Sequence, residues 1–290
     1  MSRGLGDVYK RQSVDNLVTQ EQTREMITNT QSYSKLPLFI SADEEGGNVG
    51  RLMYKLGTTW VNSMYSYKDQ GADTAYANAK TIGTDMVSCL FNTDFAPVAD
   101  VWTNPANTVI GDRAYSDDFE QAAELVASAV RGFTDSGVIC CLKHFPGYGN
   151  NADTHTGVAI DKRPYETFEQ SDFLPFRAGM EAGAPFVLVS HNIVECMDGA
   201  YPASLSAKVH TLLRDTLGFT GVIVTDDLAM DAVKAYAQDG SAAVLAIQAG
   251  NDMIVTTDYQ TQIPQVIAAV QSGEIAESDI DCLLYTSDAA

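Results

Sequence analysis

Residues 137–157 read GVICCLKHFPGYGNNADTHTG. An unbroken apolar run leads into Lys143 and His144, and a polar loop rich in Gly and Asn follows. Continuous apolarity is typical of a strand that is buried on both faces, as strands of parallel sheets are. The stretch therefore predicts a buried parallel strand whose carboxyl end carries charged side chains into a loop.

The pattern of a short apolar run that ends in polar residues recurs along the chain. The other runs are LPLFISAD (36–43), DFAPVAD (94–100), PFVLVSH (185–191), GVIVTDD (221–227) and NDMIVTT (251–257). Helical signals lie between them: Asp117 to Glu120 forms a capping box ahead of a helix that ends near Gly137, and a second helix is capped by Ser206 and ended by Gly218. Alternation of strand and helix predicts an α/β fold.

Polar residues stand at or just past the carboxyl ends of the predicted strands. They are Asp43, Asp100, Lys143, His144, His191 and Asp226. A (β/α)8 barrel builds its active site at that rim from many strands, whereas an open sheet uses one switch point. The spread over several strands favours a TIM-like (β/α)8 barrel. One strand is expected before Ser13 and a final helix after Asp281, so we expect a barrel truncated at both ends, with a C-terminal region missing.

Both ends of the chain look foreign to that fold. SRGLGDVYKRQ (2–12) and CLLYTSDAA (282–290) resemble translated sequencing-library adapters. Residues 1–12 and 282–290 are therefore excluded from the fold prediction, as a tag is. The prediction is one incomplete barrel domain over residues 13–281, with no prediction of cellular location.

Composition excludes several classes of protein. The chain is 45% hydrophobic and has no apolar run long enough to span a bilayer, so one globular domain without a membrane-spanning segment is expected. Its formal net charge of −20 repels phosphate backbones and argues against nucleic acid as a partner. The cysteines show no metal-type CxxC spacing, and Cys140 and Cys141 are expected to pack as small apolar residues. No metal or other cofactor is predicted.

Two pairs of residues carry chemistry. Asp226 and Asp227 follow the buried run GVIVT, where one acid capping the next helix is the ordinary interpretation; we predict that Asp226 faces the rim as a nucleophile and Asp227 supports the turn. Asp153 and His155 lie two apart in the loop, so their side chains can share a face. A carboxylate beside an imidazole favours the imidazolium and fixes its tautomer, which predicts a general acid/base dyad, although a random Asp-Thr-His is more often incidental.

The loop KHFPGYGNNADTHTG resembles the signature of family 3 glycoside hydrolases, in the branch of β-N-acetylglucosaminidases that act on cell-wall amino sugars. Further motifs of that branch follow in its order: ADEEGG (42–47), FAPVADV (95–101), VIGDRAY (109–115), SH in VLVSHN, PASLS (202–206) and GVIVTDDLAM (221–230). The resemblance implies a TIM-like barrel, a retaining mechanism and a β-N-acetylglucosaminide saccharide as substrate. It also implies an acid/base on the barrel's own DxH loop.

Roles follow from the resemblance residue by residue. Asp226 would be the nucleophile, His155 the acid/base and Asp153 the residue that orients His155. The residues that would hold the hydroxyl and acetamido groups are Asp43, Arg113, Lys143 and His144, with Asp100 and His191 at matching rim positions. Gly and Asn residues between positions 147 and 151 are expected to let the loop swing onto the sugar.

Some alternatives stay open. Tyr148 departs from the family pattern, and it or Trp102 could stack on a sugar or pack locally. The rival enzymes are a family 3 β-glucosidase or β-xylosidase, a phosphorolytic variant, and a substrate-assisted enzyme that uses the pair Asp43 and Glu44 or the pair Asp226 and Asp227. A further rival is a metal-dependent hydrolase, but the sequence has no HxH pair after an early strand to bind the metal. Outside enzymes, the rival is an inactive sugar-binding fragment.

Overall fold

The structure is a computed structural model that describes residues 16–151, 158–237 and 241–280. Its contacts divide the chain into two compact units. The first unit is Met1–Asp153 together with Arg163–Leu188, and the second is Thr154–Lys162 together with Val189–Ala290. The predicted adapter-like segments 1–12 and 282–290, and both members of the predicted dyad, Asp153 and His155, lie outside the described residues.

The first unit is built on a mainly parallel sheet whose strands, numbered in chain order, pair in the order first, fourth, fifth and seventh. Its strands are β1 (Ser41–Ala42), β4 (Thr93–Asp94), β5 (Ile139–Phe145) and β7 (Phe186–Val189), and the hairpin strands β2 (Glu44–Gly46) and β3 (Val49–Gly50) follow β1. Strands β1 and β4 pair in parallel through Ser41 and Thr93, and β4 and β5 through Asp94 and Cys140. Cys140 and Cys141 are fully buried, as predicted.

Helices follow the strands of the first unit and bury its core. The α-helices are Gln20–Ser32, Arg51–Leu56, Ala72–Ser88, Phe119–Ser136, Tyr165–Gln170 and Phe173–Glu181, with 3-10 turns at Met64–Gln70 and Gly111–Arg113. The Phe119–Ser136 helix is capped by Asp118, whose side chain accepts the Gln121 N–H, and it ends at Gly137 in a left-handed conformation. The cap therefore lies one residue beyond the predicted Asp117.

Two predicted strands are much shorter than expected. The run 36–43 contributes only β1, and the run 94–100 contributes only Asp94, the last residue of β4, and an isolated bridge between Val98 and Lys143. Pro97 has no N–H to donate to a ladder, which is why the apolar run cannot continue as a regular strand. The chain beyond Pro97 still stays beside β5, because the Ala99 N–H donates to the Lys143 carbonyl.

The second unit contains shorter strands and its own apolar core. Strand β6 (Ile160–Asp161) pairs in parallel with β8 (Ile193–Val194), and β9 (Val222–Thr225) ends directly before Asp226. The α-helices are Glu195–Asp198, Ala207–Thr211, Asp231–Lys234, Ala242–Ala249 and Tyr259–Ser272, with a π turn at Leu212–Thr216 and a 3-10 turn at Ala203–Leu205. The predicted strand 251–257 is reduced to a parallel bridge between Val224 and Met253.

The architecture confirms the α/β class and the mainly parallel sheet. In the part of the chain that the structure describes, however, the hydrogen-bonded strands do not close into a barrel. No described helix combines the length and the apolarity that crossing a bilayer requires. Within the same residues, no group of three His, Cys, Asp or Glu side chains could hold a metal ion.

Candidate active site

The predicted site residues that the structure describes belong to two different units. Five of them lie in the first unit: Asp43, Asp100, Arg113, Lys143 and His144. The second unit carries His191 and Asp226. The two groups are each organised by their own hydrogen bonds.

Strand ends position the charged residues of the first unit. Asp43 directly follows β1, and Lys143 is near the end of β5. The Lys143 backbone is held by residues after β4, because its N–H donates to the Pro97 carbonyl at 3.3 Å and its carbonyl accepts the Ala99 N–H at 2.6 Å. The lysine side chain is 1% exposed, so its ammonium group needs partners inside the protein.

Those partners belong to a cluster of four charged side chains, which we call the ion cluster: the buried Asp43, Glu45 and Lys143 and the half-buried Arg113. Lys143 Nζ donates to Asp43 Oδ1 at 2.6 Å and also contacts Glu45 Oε1. Arg113 forms a bidentate ion pair with Glu45, in which Nε donates to Oε2 at 2.7 Å and Nη2 donates to Oε1 at 2.8 Å. Three of the four residues were predicted as substrate ligands, and the structure brings all three together.

Neighbouring opposite charges favour the charged forms of Lys143, Glu45 and Arg113. Burial disfavours the charge on Lys143, but Asp43 and Glu45 outweigh burial and raise the pKa of the ammonium group. Burial likewise opposes ionisation of Glu45, yet Arg113 and Lys143 hold the pKa of that carboxyl below its ordinary value. The Arg113 pKa is raised, since Glu45 more than compensates for burial of the guanidinium.

Glu45 was missed by the sequence analysis. Its signal was present in ADEEGG, where three consecutive acids follow a buried strand, but alternation along the chain does not reveal which acid meets a cation. The neighbouring Glu44 has a different role, because its carboxylate accepts the Leu52 N–H at 2.7 Å and the Met53 N–H at 3.0 Å. Glu44 thus caps the helix Arg51–Leu56, and burial raises its pKa to about 7.

A second acid, Asp94, supports Glu44 from β4. Asp94 Oδ1 accepts the Glu44 N–H at 3.0 Å, and Asp94 Oδ2 is buried without a hydrogen-bond partner. Burial raises the pKa of Asp94 well above its ordinary value. The cation Lys143 pairs instead with Asp43 and Glu45.

Asp100 orients His144 and the loop behind it. Asp100 Oδ2 accepts the His144 N–H at 3.0 Å and lies 2.6 Å from His144 Nδ1, while Oδ1 accepts the Tyr148 N–H at 2.6 Å. A carboxylate partner places the ring proton on Nδ1, which leaves Nε2 as an acceptor in the neutral ring. The Asp100 side chain is fully buried, so the structure places it behind His144.

The described part of the loop is packed. A Cβ on Gly147 would lie 2.6 Å from Asp172 Oδ1, and one on Gly149 would overlap the Val101 carbonyl oxygen. Asn107 adds a hydrogen bond from Nδ2 to the Tyr148 carbonyl at 2.8 Å. At Gly147 and Gly149, glycine therefore permits close approach of the backbone to its neighbours, whereas the swing of the loop remains a prediction from the sequence.

Trp102 and Tyr148, the two aromatic residues whose role was left open, both have local partners. Trp102 packs edge-on against Tyr65, with ring centroids 5.1 Å apart. Tyr148 is 6% exposed, and its ring lies 6.2 Å from that of His144. Of the two interpretations left open for these residues, local packing describes what is seen.

In the second unit, Asp226 and Asp227 divide their roles. Asp226 follows β9, its N–H donates to the Val189 carbonyl at 3.1 Å, and its Oδ1 accepts the Asp227 N–H at 2.7 Å. Asp227 is fully buried, and its Oδ1 accepts the N–H groups of Ala229 at 2.7 Å and Thr257 at 3.2 Å. Asp227 supports the turn, as predicted, and the half-buried Asp226 is the acid that remains as a candidate for chemistry.

His191 supports the same turn. Its Nε2 lies 3.0 Å from the Asp227 carbonyl oxygen and its Nδ1 lies 2.7 Å from Ser204 Oγ. A carbonyl can only accept, so Nε2 carries the proton and, in the neutral ring, Nδ1 accepts from Ser204. The histidine therefore fixes the backbone directly after Asp226.

The chain matches a protein-family model and is similar to individual proteins. A family model described as Glycosyl hydrolase family 3 N terminal domain matches residues 2–284. Beta-hexosaminidase of Nitrosomonas eutropha is 32% identical over 265 residues, which cover 88% of this chain and 75% of that protein. Beta-hexosaminidase A of Pseudoalteromonas piscicida is 34% identical over 240 residues, which cover 77% of this chain and 40% of that protein.

A solved structure is also similar. It is that of a glycoside hydrolase family 3 beta-N-acetylglucosaminidase from Paenibacillus sp. str. FPU-7, with 36% identity and a TM-score of 0.88. The match covers 93% of this chain and 53% of that one. The chain thus spans less than two thirds of two of these three relatives.

Proposed function

The chain belongs to glycosyl hydrolase family 3, and we propose that it is a retaining exo-β-N-acetylglucosaminidase. Its substrates would be peptidoglycan-derived or chitin-type saccharides with a terminal β-linked GlcNAc. The ion cluster is the observation that carries this proposal, because it supplies fixed donors and acceptors at strand ends, as the recognition of sugar hydroxyls requires. Relatives named beta-hexosaminidase support the choice of an N-acetylated sugar.

The proposed binding roles follow the geometry of the first unit. Asp43, Lys143 and Arg113 hold the hydroxyl and acetamido groups of the non-reducing sugar. His144 offers Nε2, since Asp100 occupies its Nδ1. Charged partners in a site with little water make stronger and more directional hydrogen bonds than exposed side chains do.

The proposed chemistry has two steps. The Asp226 carboxylate attacks the anomeric carbon, the bond from that carbon to the leaving oxygen breaks, and His155 gives its proton to that oxygen. In the second step a water gives a proton to His155 and its oxygen displaces Asp226 from the anomeric carbon. Asp153 orients His155 and stabilises its protonated form. Both dyad residues lie outside the described part of the chain.

The fold proposal extends the observed α/β class. We assign the described strands to a TIM-like (β/α)8 barrel, supported by the parallel pairing of β1, β4 and β5 and by the helices that follow these strands. In such a barrel the polar strand ends share the catalytic face.

Hydrolysis of chromogenic glycosides by the 290-residue chain tests the function. We expect release of chromophore from the β-N-acetylglucosaminide and at least about tenfold lower kcat/KM on the β-glucoside and β-xyloside. Asp226→Ala should abolish turnover, and Asp215→Asn, which changes an exposed acid of the same unit, should not. A preference for the glucoside, or unchanged turnover in Asp226→Ala, would contradict the assignment.

A further inference from the structure

Glu45 is the member of the ion cluster to which the proposed function assigns no role. Its carboxylate is buried, and both oxygens are occupied: Oε1 by Arg113 Nη2 and Lys143 Nζ, and Oε2 by Arg113 Nε. A carboxylate with three charge-assisted contacts has little capacity left for a hydroxyl of a ligand. Its effect on a bound sugar must pass through the two cations that it holds.

The charges of the ion cluster cancel. Two cations, Arg113 and Lys143, face two carboxylates, Asp43 and Glu45. Without Glu45 the cluster would carry one net positive charge in a site with little solvent, and Arg113 would be without its bidentate partner. A buried guanidinium without a carboxylate attracts anions such as sulfate or the carboxylate of an acidic sugar.

We propose that Glu45 is a positioning and specificity-determining residue: it holds Arg113 and Lys143 at a fixed spacing and neutralises them, so that the cluster accepts neutral sugar groups and rejects anions. This inference rests on the proposed function, in which Arg113 and Lys143 bind the sugar. On this proposal, the arrangement of the four charged side chains disfavours anions before any substrate binds.

Glu45→Gln separates this role from a purely structural one, because the amide keeps the shape and removes the charge. Inorganic sulfate is a suitable probe, since it is a dianion across the pH range of the measurement and binding needs no turnover. By calorimetry on the intact chain, we expect sulfate to bind the Glu45→Gln variant at least about tenfold more tightly than the wild type. Equal sulfate affinity in the two proteins would overturn the proposal.

A second variant keeps the test decisive if Glu45→Gln fails to fold. Glu45→Asp retains the charge and shortens the reach, so we expect sulfate affinity like that of the wild type together with a KM for the chromogenic β-N-acetylglucosaminide raised about tenfold and kcat reduced much less. A gain of sulfate affinity in Glu45→Asp, or an unchanged KM, would overturn the proposal.

Controls distinguish this inference from the function on which it rests. Asp215→Asn, which changes an exposed acid of the second unit, should leave sulfate affinity unchanged. Wild-type turnover combined with equal sulfate affinity in the wild type and Glu45→Gln overturns the role of Glu45 alone. Absence of wild-type turnover, with sulfate gained by Glu45→Gln, overturns the glycosidase proposal and supports the charge role of Glu45.

Discussion

Lys143 Nζ lies 2.6 Å from Asp43 Oδ1, although the two residues are 100 positions apart in the chain. The pair joins the end of β5 to the end of β1, across the intervening strand β4. Both side chains are almost completely buried. Two buried charges are tolerated only where each has an oppositely charged partner. The Lys143–Asp43 pair therefore contributes to the stability of the first unit as well as to the proposed sugar site.

Loss of Lys143 should therefore affect both stability and binding. In Lys143→Met we expect about 3 kcal/mol or more of destabilisation, because Asp43 and Glu45 lose a buried partner. We also expect kcat/KM for the β-N-acetylglucosaminide to fall about a hundredfold or more, mainly through KM. Urea unfolding and steady-state kinetics measure the two effects. Lys208→Met, at an exposed lysine 3.7 Å from Asp198, is the matched control, and a wild-type KM in Lys143→Met would refute the binding role.

Asp100 should act through His144. The amide of Asp100→Asn cannot accept all three of the hydrogen bonds that the carboxylate accepts now. Without the carboxylate, the ring proton of neutral His144 is no longer fixed on Nδ1. We expect kcat/KM to fall about tenfold or more, with a stability loss of about 1–3 kcal/mol.

The control for that variant is Asp85→Asn, which weakens an exposed hydrogen bond from the Thr59 N–H. It should change neither the activity nor its pH dependence. Kinetics across pH 5–8 would show whether Asp100→Asn changes the ionisation behaviour of the site. An Asp100→Asn enzyme with the wild-type kcat/KM and pH profile would show that the contact does not orient a functional histidine.

Glu44 predicts an unusual dependence of stability on pH. Its pKa is raised by burial from 4.5 to about 7, so the folded state binds this proton more tightly than the unfolded state does. The resulting stabilisation is fully present below about pH 4.5 and is lost as pH rises through about 7, a loss of about 3 kcal/mol.

Glu44→Gln tests the sign of this effect. The free energy of unfolding, measured in urea from pH 5 to pH 8, should fall more steeply, or rise less, with pH in the wild type than in the variant. The difference between the two curves is the readout, because all other ionisable groups contribute to both. Parallel curves, or a difference of opposite sign, would show that Glu44 is not protonated more readily in the folded state.

His191 should maintain kcat by holding the turn after Asp226. His191→Ala removes the donor to the Asp227 carbonyl, so we expect kcat to fall about a hundredfold while KM changes much less. His191→Gln can place an amide N–H near the position of Nε2 and should recover most of the loss. Steady-state kinetics of both variants is the measurement, and equal kcat values for Ala and Gln would exclude this positioning role.

The sequence predicted the features that depend on local order: where strands end, and which residue of an acid pair supports the following turn. Apolar runs located the strand ends, and the order of residues alone divided the acid pair after β9 between turn support and a candidate nucleophile. Asp227 does accept two backbone N–H groups, as that division expected.

Long-range pairing was beyond the reach of sequence reasoning. Nothing in ADEEGG distinguishes Glu44, which caps a helix, from Glu45, which holds Arg113, because both are acids directly after the same strand. Glycines raise a similar ambiguity: the same residue type serves a swinging loop and a close backbone approach, and only the neighbours of Gly147 and Gly149 show the second. The strands at 41–42 and 93–94 are shorter than the apolar runs predicted, because apolarity does not show where backbone pairing stops.

In the proposed mechanism, Asp226 becomes covalently bonded to the sugar. The acetamido group occupies C2, so a GlcNAc analogue with fluorine at C5 and a good leaving group is suited to slow the second step and accumulate the intermediate. Intact-mass analysis followed by peptide mapping should show one glycosyl adduct, located on the Asp226 carboxylate and absent in Asp226→Ala. Turnover of the analogue without an adduct, or an adduct on another residue, would contradict the proposed mechanism.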